Sequence, residues 1–303
     1  MNQSQNYLNA SSQGKNQWWR YSIGILLILF FYLILGSIAA LVIFLINDHI
    51  SSIELSDSIL LTKKFEAFLK IPSTSAYAVA NMPSLFGAIG LLIAVVFVHQ
   101  RKFNSLVRAD RVIKWRRIFT GFLVWWLIGC LFAGIDYLLN PKNYVLSFTQ
   151  DWFFCLPLAL ILTPLQTSFE ELFFRGYLMQ GMALILRNRV ALAIINGTLF
   201  MLPHLANPEL QRGGIIALYY LIFGTALAAL AIRDNGLELA LGIHAANNLQ
   251  LLLFNAKDSA LPIPSIWQVQ VPNPPIIDVI LSALMLAAVY YFFFGRSKTS
   301  KSS

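Results

Sequence analysis

Apolar residues in this chain neither alternate nor form narrow stripes. They come in long runs separated by short polar or charged segments. A helix that is apolar on every face belongs in a large core or in lipid. Crossing a hydrocarbon layer of ~30 Å takes about 20 residues of helix. On that length the sequence predicts spans over residues 21–46, 76–99, 118–139, 152–186, 190–205, 214–232, 237–254 and 277–294. The fifth is short. The fourth is long and contains Pro157 and Pro164, which predicts a kink or a division into two pieces. Lys15 and Arg20 precede the first run as in a signal peptide, and Gly36-Ser37-Ile38-Ala39-Ala40 has some features of a cleavage site. Apolar sequence continues to Ile46, so a retained anchor is expected. The fold class that follows is all-α, a polytopic membrane bundle of about eight transmembrane helices.

Composition strengthens this reading. Of 303 residues, 57% are hydrophobic and 12% charged, a balance that a soluble domain of this size could not hide from water. The net charge of +8 raises nucleic acid as a partner. The basic residues, however, lie between apolar runs rather than along one polar face, and no nucleic-acid partner is expected. Topology explains them better. With a cytoplasmic N-terminus, fifteen Lys and Arg fall in inside segments and six outside (Lys63, Lys64, Lys70, Lys142, Arg212 and Lys257). This bias predicts both termini cytoplasmic, in a prokaryotic cytoplasmic membrane or a related internal one. Residues 100–117 mix basic residues with Phe103, Leu106, Val107, Val112, Ile113 and Trp115. They are expected either to lie as a helix on the anionic membrane surface or only to fix orientation. Residues 56–71 read as an amphipathic outer loop, and the Pro-rich 259–275 as an irregular outer loop anchored by Trp267. Cys130 and Cys155 sit in or beside apolar runs, so neither a disulfide framework nor a cysteine metal site is expected.

The candidate chemistry lies where lipid should forbid it. A charged side chain at the centre of a membrane helix costs roughly 2.5–3.5 kcal/mol on insertion scales. The fourth span nevertheless holds Glu170, Glu171 and Arg175, the fifth His204, and the seventh His244, Asn247 and Asn248. These groups must face one another or a water-filled cavity. Glu171 and Arg175 are four apart and can pair along one helix face. That leaves Glu170, about 100° around the helix, without a local cation. A carboxyl so placed suits general acid–base work. Phe200 shares a face with His204, and His244 with Asn248. A lone buried histidine is more often a satisfied core residue, and a lone membrane asparagine a helix–helix hydrogen bond. Together the groups form a set able to do acid–base chemistry.

Glu-Glu-x-x-x-Arg, then Phe-x-x-x-His, then His-x-x-x-Asn, in that order on membrane helices, resembles the signature of the CPBP family. These are the CAAX proteases and bacteriocin-processing enzymes, also called the Abi family. Here the motifs are Glu170-Glu171 with Arg175, Phe200 with His204, and His244 with Asn248, within roughly residues 150–255. The resemblance implies an eight-helix intramembrane protease. It implies that Glu170 activates a water with help from His204, that His244 and Asn248 stabilise the oxyanion, and that Glu171 and Arg175 shape the site. No cofactor is expected, because no His-Glu-x-x-His helix is present. Zinc is the alternative, and would take Glu170, His204 and His244 as ligands. The implied partners are a membrane-protein or lipidated-peptide substrate and membrane lipid. The chain then divides into a disordered cytoplasmic tail (1–20), N-terminal membrane helices with a basic loop (21–150), the catalytic helices (151–255), and an outer loop, last span and basic tail (256–303). The competing functions are a proton-coupled transporter, which also places ionisable groups in the bilayer, and a non-catalytic scaffold or bacteriocin-immunity protein on the same fold.

Overall fold

The computed structural model describes residues 6–47 and 58–295. Its helices are Trp18–Asn47 (α1), Ser58–Lys70 (α2), Thr74–Val98 (α3), Trp115–Leu139 (α4), Gln150–Met182 (α5), Arg189–His204 (α6), Ile216–Asp234 (α7), Glu238–Leu249 (α8) and Pro275–Phe294 (α9). Six of them, α1, α3, α4, α5, α7 and α9, are long and apolar enough to cross a membrane. Large apolar side chains such as Leu26, Ile34, Leu131, Ile161 and Leu284 stand exposed on them, as on a surface that meets lipid. The molecule is a polytopic helical bundle and an integral membrane protein.

The fifth and seventh expected spans are α6 and α8, of 16 and 12 residues. At 1.5 Å per residue they reach about 24 and 18 Å, short of a full crossing. Protein surrounds α8, in which every residue from Glu238 to Ala246 is buried. A helix enclosed in this way is apolar because of its neighbours, and its length need not match a bilayer. Close backbone approach fixes its position. A Cβ on Gly242 would fall 2.0 Å from the Ile118 carbonyl oxygen of α4. Likewise α6 meets α7 where a Cβ on Gly224 would lie 3.0 Å from the Cα of Gly197. Small residues at such crossings let membrane helices pack backbone to backbone.

The fourth expected span is one continuous helix despite Pro157 and Pro164. Its regular part ends at Glu171, and Leu172–Met179 widens into a π-helical stretch. Such stretches occur often at functional sites. The final charged pair of the motif therefore straddles a change of helical register.

Four segments depart from expectation. The N-terminal tail, expected to be disordered, contains a 3₁₀ helix over Tyr7–Gln13 that buries Tyr7, Leu8, Ala10 and Ser11. The Tyr7 hydroxyl donates to the Arg175 carbonyl at 2.9 Å, the Ser11 hydroxyl to the Gln180 carbonyl at 3.1 Å, and the Tyr7 amide to Asn235 Oδ1 at 2.7 Å. Its polar composition concealed these apolar and hydroxyl anchors. The 100–117 linker is not a surface helix. It holds a short 3₁₀ turn, Phe103–Leu106, and buries Arg101, Leu106, Val107 and Arg108 within the protein. Arg108 pairs with Glu238 at 3.1 Å, and Arg101 donates to Gln180 and to Ser105 Oγ. Burial pulls the Arg101 guanidinium down to about 10 and pushes the Tyr7 phenol far above its ordinary range. The 56–71 segment is helix α2 from Ser58 onward, and residues 56–57 lie outside the described residues. Within the expected outer loop 259–275, Trp267–Val269 is a strand (β3), and it pairs with two strands from outside that loop, Tyr144–Leu146 (β1) and Phe254–Ala256 (β2). Their order is β1-β3-β2, with β1 antiparallel and β2 parallel to β3, and Trp267 packs on Tyr137 at 5.2 Å. Arg296, Lys298 and Lys301 of the expected basic tail lie outside the described residues.

Candidate active site

The buried ion pair anticipated in α5 is present. Arg175 Nη1 donates to Glu171 Oε1 at 2.9 Å, and both side chains are fully buried. A second partner was not anticipated. His244 Nδ1 lies 2.8 Å from the same Glu171 oxygen. A carboxylate only accepts, so Nδ1 carries a proton. Arg175 is held further by the Gly224 carbonyl of α7 at 3.1 Å and by the Phe200 ring 4.3 Å beneath its guanidinium. One cation thus ties α5, α6 and α7 together. The carboxylate it neutralises orients the histidine of α8.

Glu170 has no such cation. Its Oε1 accepts from Gln166 Nε2, one helical turn earlier. Its Oε2 is buried without a hydrogen-bond partner, and His244 Nε2 stands 3.7 Å from it. The side chain as a whole retains 17% exposure. A second bond of Gln166 runs across to α8, where Asn248 Nδ2 donates to Gln166 Oε1 at 3.0 Å. Asn247 Nδ2 in turn donates to Asn248 Oδ1 at 3.1 Å. Gln166 therefore couples the free carboxylate to the asparagine.

His204 sits at the C-terminal end of α6. Its Nδ1 donates to the Phe200 carbonyl at 2.7 Å, which leaves Nε2 as the available lone pair. The ring is held between Phe200 at 4.5 Å and Tyr220 at 4.4 Å. Phe200 also meets His244, with ring centroids 5.8 Å apart. No hydrogen bond joins His204 to Glu170 among the described residues. Glu170, Glu171, Arg175, His244 and Asn248 thus form one polar cluster, and His204 flanks it across Phe200. The sequence reading missed Gln166, Tyr220 and Phe223, whose ring stands 5.4 Å from that of His244. Only Gln166 left a signal, its i−4 spacing on the face of Glu170.

Among the described residues no three His, Cys, Asp or Glu side chains form a group suited to a metal ion. Glu170, His204 and His244 do not converge in that way. The donors present do not fit the zinc alternative as they stand.

A membrane bundle that gathers two carboxylates, two imidazoles and an arginine from three of its helices is equipped for acid–base chemistry inside the bilayer. The family described as type II CAAX prenyl endopeptidase Rce1-like matches residues 121–250, which contain the whole cluster. The uncharacterized protein YyaK of Bacillus subtilis (strain 168) is 33% identical over 300 residues, covering 95% of this chain and 96% of that one. No solved structure matches. The chain belongs to the Rce1-like family of CAAX-type membrane proteases.

Proposed function

We propose that this protein is an intramembrane endopeptidase that hydrolyses peptide bonds of membrane-associated proteins or lipidated peptides, using a water activated at Glu170. One observation carries the reading. Both Glu170 and Glu171 keep a buried oxygen with no hydrogen-bond partner, but Glu171 is fully buried and neutralised by Arg175, whereas Glu170 has no such cation, keeps 17% exposure and holds its unpartnered Oε2 3.7 Å from His244 Nε2. Leaving a buried acceptor unsatisfied costs about 1–3 kcal/mol. A water donating to that oxygen would remove the cost and would be positioned to react.

In the proposed reaction Glu170 Oε2 takes a proton from the water as its oxygen bonds to the scissile carbonyl carbon. His204 Nε2 accepts the water's other hydrogen and aligns it. The carbonyl π electrons move onto oxygen, and the Asn248 amide, with His244 beside it, faces the developing charge. The oxyanion then collapses, the C–N bond breaks, and Glu170 returns the proton to the departing nitrogen. The carboxylic acid so formed keeps the water's other hydrogen and passes it to the amine, leaving a carboxylate and an ammonium. Glu171 and Arg175 hold His244 and the helices in place. No step passes through a metal.

The test is a peptidase screen with the purified protein in proteoliposomes, using lipidated and unlipidated membrane peptides. Mass spectrometry of the new termini reports the cut. The reading expects cleavage by the parent protein and none by Glu170→Ala. Metal analysis of the same active preparation should find well under one zinc per chain. Stoichiometric zinc, with activity lost to chelators and restored by zinc alone, would overturn the metal-free mechanism.

A further inference from the structure

A second polar region lies beyond Tyr220, at the end of the bundle where the small sheet sits. A cavity of about 370 Å³ opens there between α4, α7, the 208–212 turn, the 255–259 loop and α9. A smaller one of about 260 Å³ adjoins it, and the two share Tyr219 and Asn247. Tyr220 and Asn247 in its wall also border the candidate active site. Tyr220 stacks on His204, and Asn247 donates to Asn248. The larger volume falls in the range of small-ligand sites.

In the wall, unpartnered acceptors outnumber unpartnered donors. Trp125, Glu209, Asn255, Asp258 and Ser282 line the cavity, and each has a buried side-chain polar atom with no hydrogen-bond partner. Trp125, Asn255 and Ser282 are themselves at least nine-tenths buried. Three of the five atoms, Glu209 Oε2, Asn255 Oδ1 and Asp258 Oδ1, can only accept. Charge points the same way. Arg212 is the cation of this wall and is already shared between Asp258 at 3.7 Å and Asp278 at 2.6 Å. Glu209 has Tyr220 and Asn207 as neutral donors to its other oxygen and no cation among the described residues. Three carboxylates thus face one guanidinium. An anionic ligand would deepen this imbalance and a neutral one would leave it, whereas a compact cation with several N–H donors would correct both deficits.

We propose that this cavity is a subsite for a primary ammonium group of the peptide being processed. The assignment rests on the endopeptidase reading for the identity of the ligand, but not for the binding itself. Two sources have the same chemistry. One is a lysine side chain of the substrate near the cut. The other is the new α-ammonium of the fragment released when the C–N bond breaks and the nitrogen takes up one proton from Glu170 and a second from the new carboxyl group. Either would place cationic substrate chemistry across Tyr220 from His204. A CAAX-type site would then discriminate by charge on this side of the scissile bond as well as by lipid.

Binding is read without turnover, from the thermal midpoint of the purified protein in detergent, since a ligand that binds only the folded state raises it. The probes are Nα-acetyl-lysine amide, carrying a side-chain ammonium, and alanine amide, carrying an α-ammonium. Nα-acetyl-glutamine amide and tetramethylammonium chloride, at matched ionic strength, supply the neutral control and a cation without N–H donors. The proposal expects a saturable rise with at least one ammonium probe and none with either control. A response to the lysine probe alone assigns a side chain, and a response to alanine amide alone assigns the new amino terminus. Asp258→Asn and Glu209→Gln should each weaken the apparent affinity about tenfold or more. Asp258 is partly exposed, so its variant keeps the test available if Glu209→Gln does not fold. No rise with either ammonium, an equal rise with a control, or unchanged affinity in both variants would overturn the proposal. Failure of the peptidase screen with ammonium binding intact would count against the enzymatic reading alone.

Discussion

Arg175 is fully buried and bonded to Glu171 and the Gly224 carbonyl. Removing one member of a buried pair leaves an uncompensated charge and typically costs about 3–5 kcal/mol. Arg175→Ala should therefore lower the thermal midpoint in detergent markedly. A variant as stable as the parent but wholly inactive would give Arg175 a chemical role instead. Gln166 tests the other half of the site. Gln166→Leu removes the link between Glu170 and Asn248 and touches neither the ion pair nor His204. Turnover should fall with kcat rather than KM, while the thermal midpoint changes little. An unchanged kcat would show that the link is incidental. The six signature residues were legible because charges and imidazoles stand out in apolar runs, and because four-residue spacing places partners on one helix face. The attachment of His244 to Glu171 was not legible, since it joins helices separated by dozens of residues. Gln166, Tyr220 and Phe223 were hidden for another reason, because a neutral amide or an aromatic ring is ordinary in a membrane helix.

At the π stretch, Leu172–Met179, α5 takes support from outside itself. The N-terminal 3₁₀ helix supplies that support through the Tyr7 hydroxyl on the Arg175 carbonyl. Tyr7→Phe keeps the ring but removes this bond, and should cost about 1 kcal/mol of stability. A thermal midpoint identical to the parent would remove the segment from the account. The α4–α8 crossing makes a stronger claim. A Cβ at Gly242 meets backbone, which cannot rotate away as a side chain could. Gly242→Ala should cost about 1–3 kcal/mol through overpacking and shift His244, so stability and turnover should fall together. Wild-type values for both would contradict the crossing. Span number was only partly legible at this scale. Hydropathy registers α6 and α8 as apolar but cannot distinguish a neighbour of lipid from a neighbour of protein. The short α8 is buried along most of its length, and that enclosure is a property of the assembled bundle.

The apolar exterior, the six long helices and the polar cluster among them describe a membrane protein that gathers ionisable groups inside an apolar bundle. The excess of Lys and Arg in alternate loops supports a topology with both termini in the cytoplasm. A reporter active only in the cytoplasm, fused to the C-terminus, should give signal, and a silent but fully expressed fusion would reverse the orientation. Membrane class and helical fold were plain from the sequence because composition alone decides them. The folded N-terminal segment and the acceptor-rich cavity were not, since each is assembled from residues far apart in the chain. The central claim is that Glu170 is the base, and Glu170→Gln tests it most directly. The amide keeps the shape and a hydrogen bond to Gln166 but cannot take the water's proton. In reconstituted membranes, with thermal midpoint and substrate affinity close to the parent's, turnover should fall by about 10²–10⁴-fold. Turnover within a few-fold of the parent in that folded, substrate-binding variant would contradict the account.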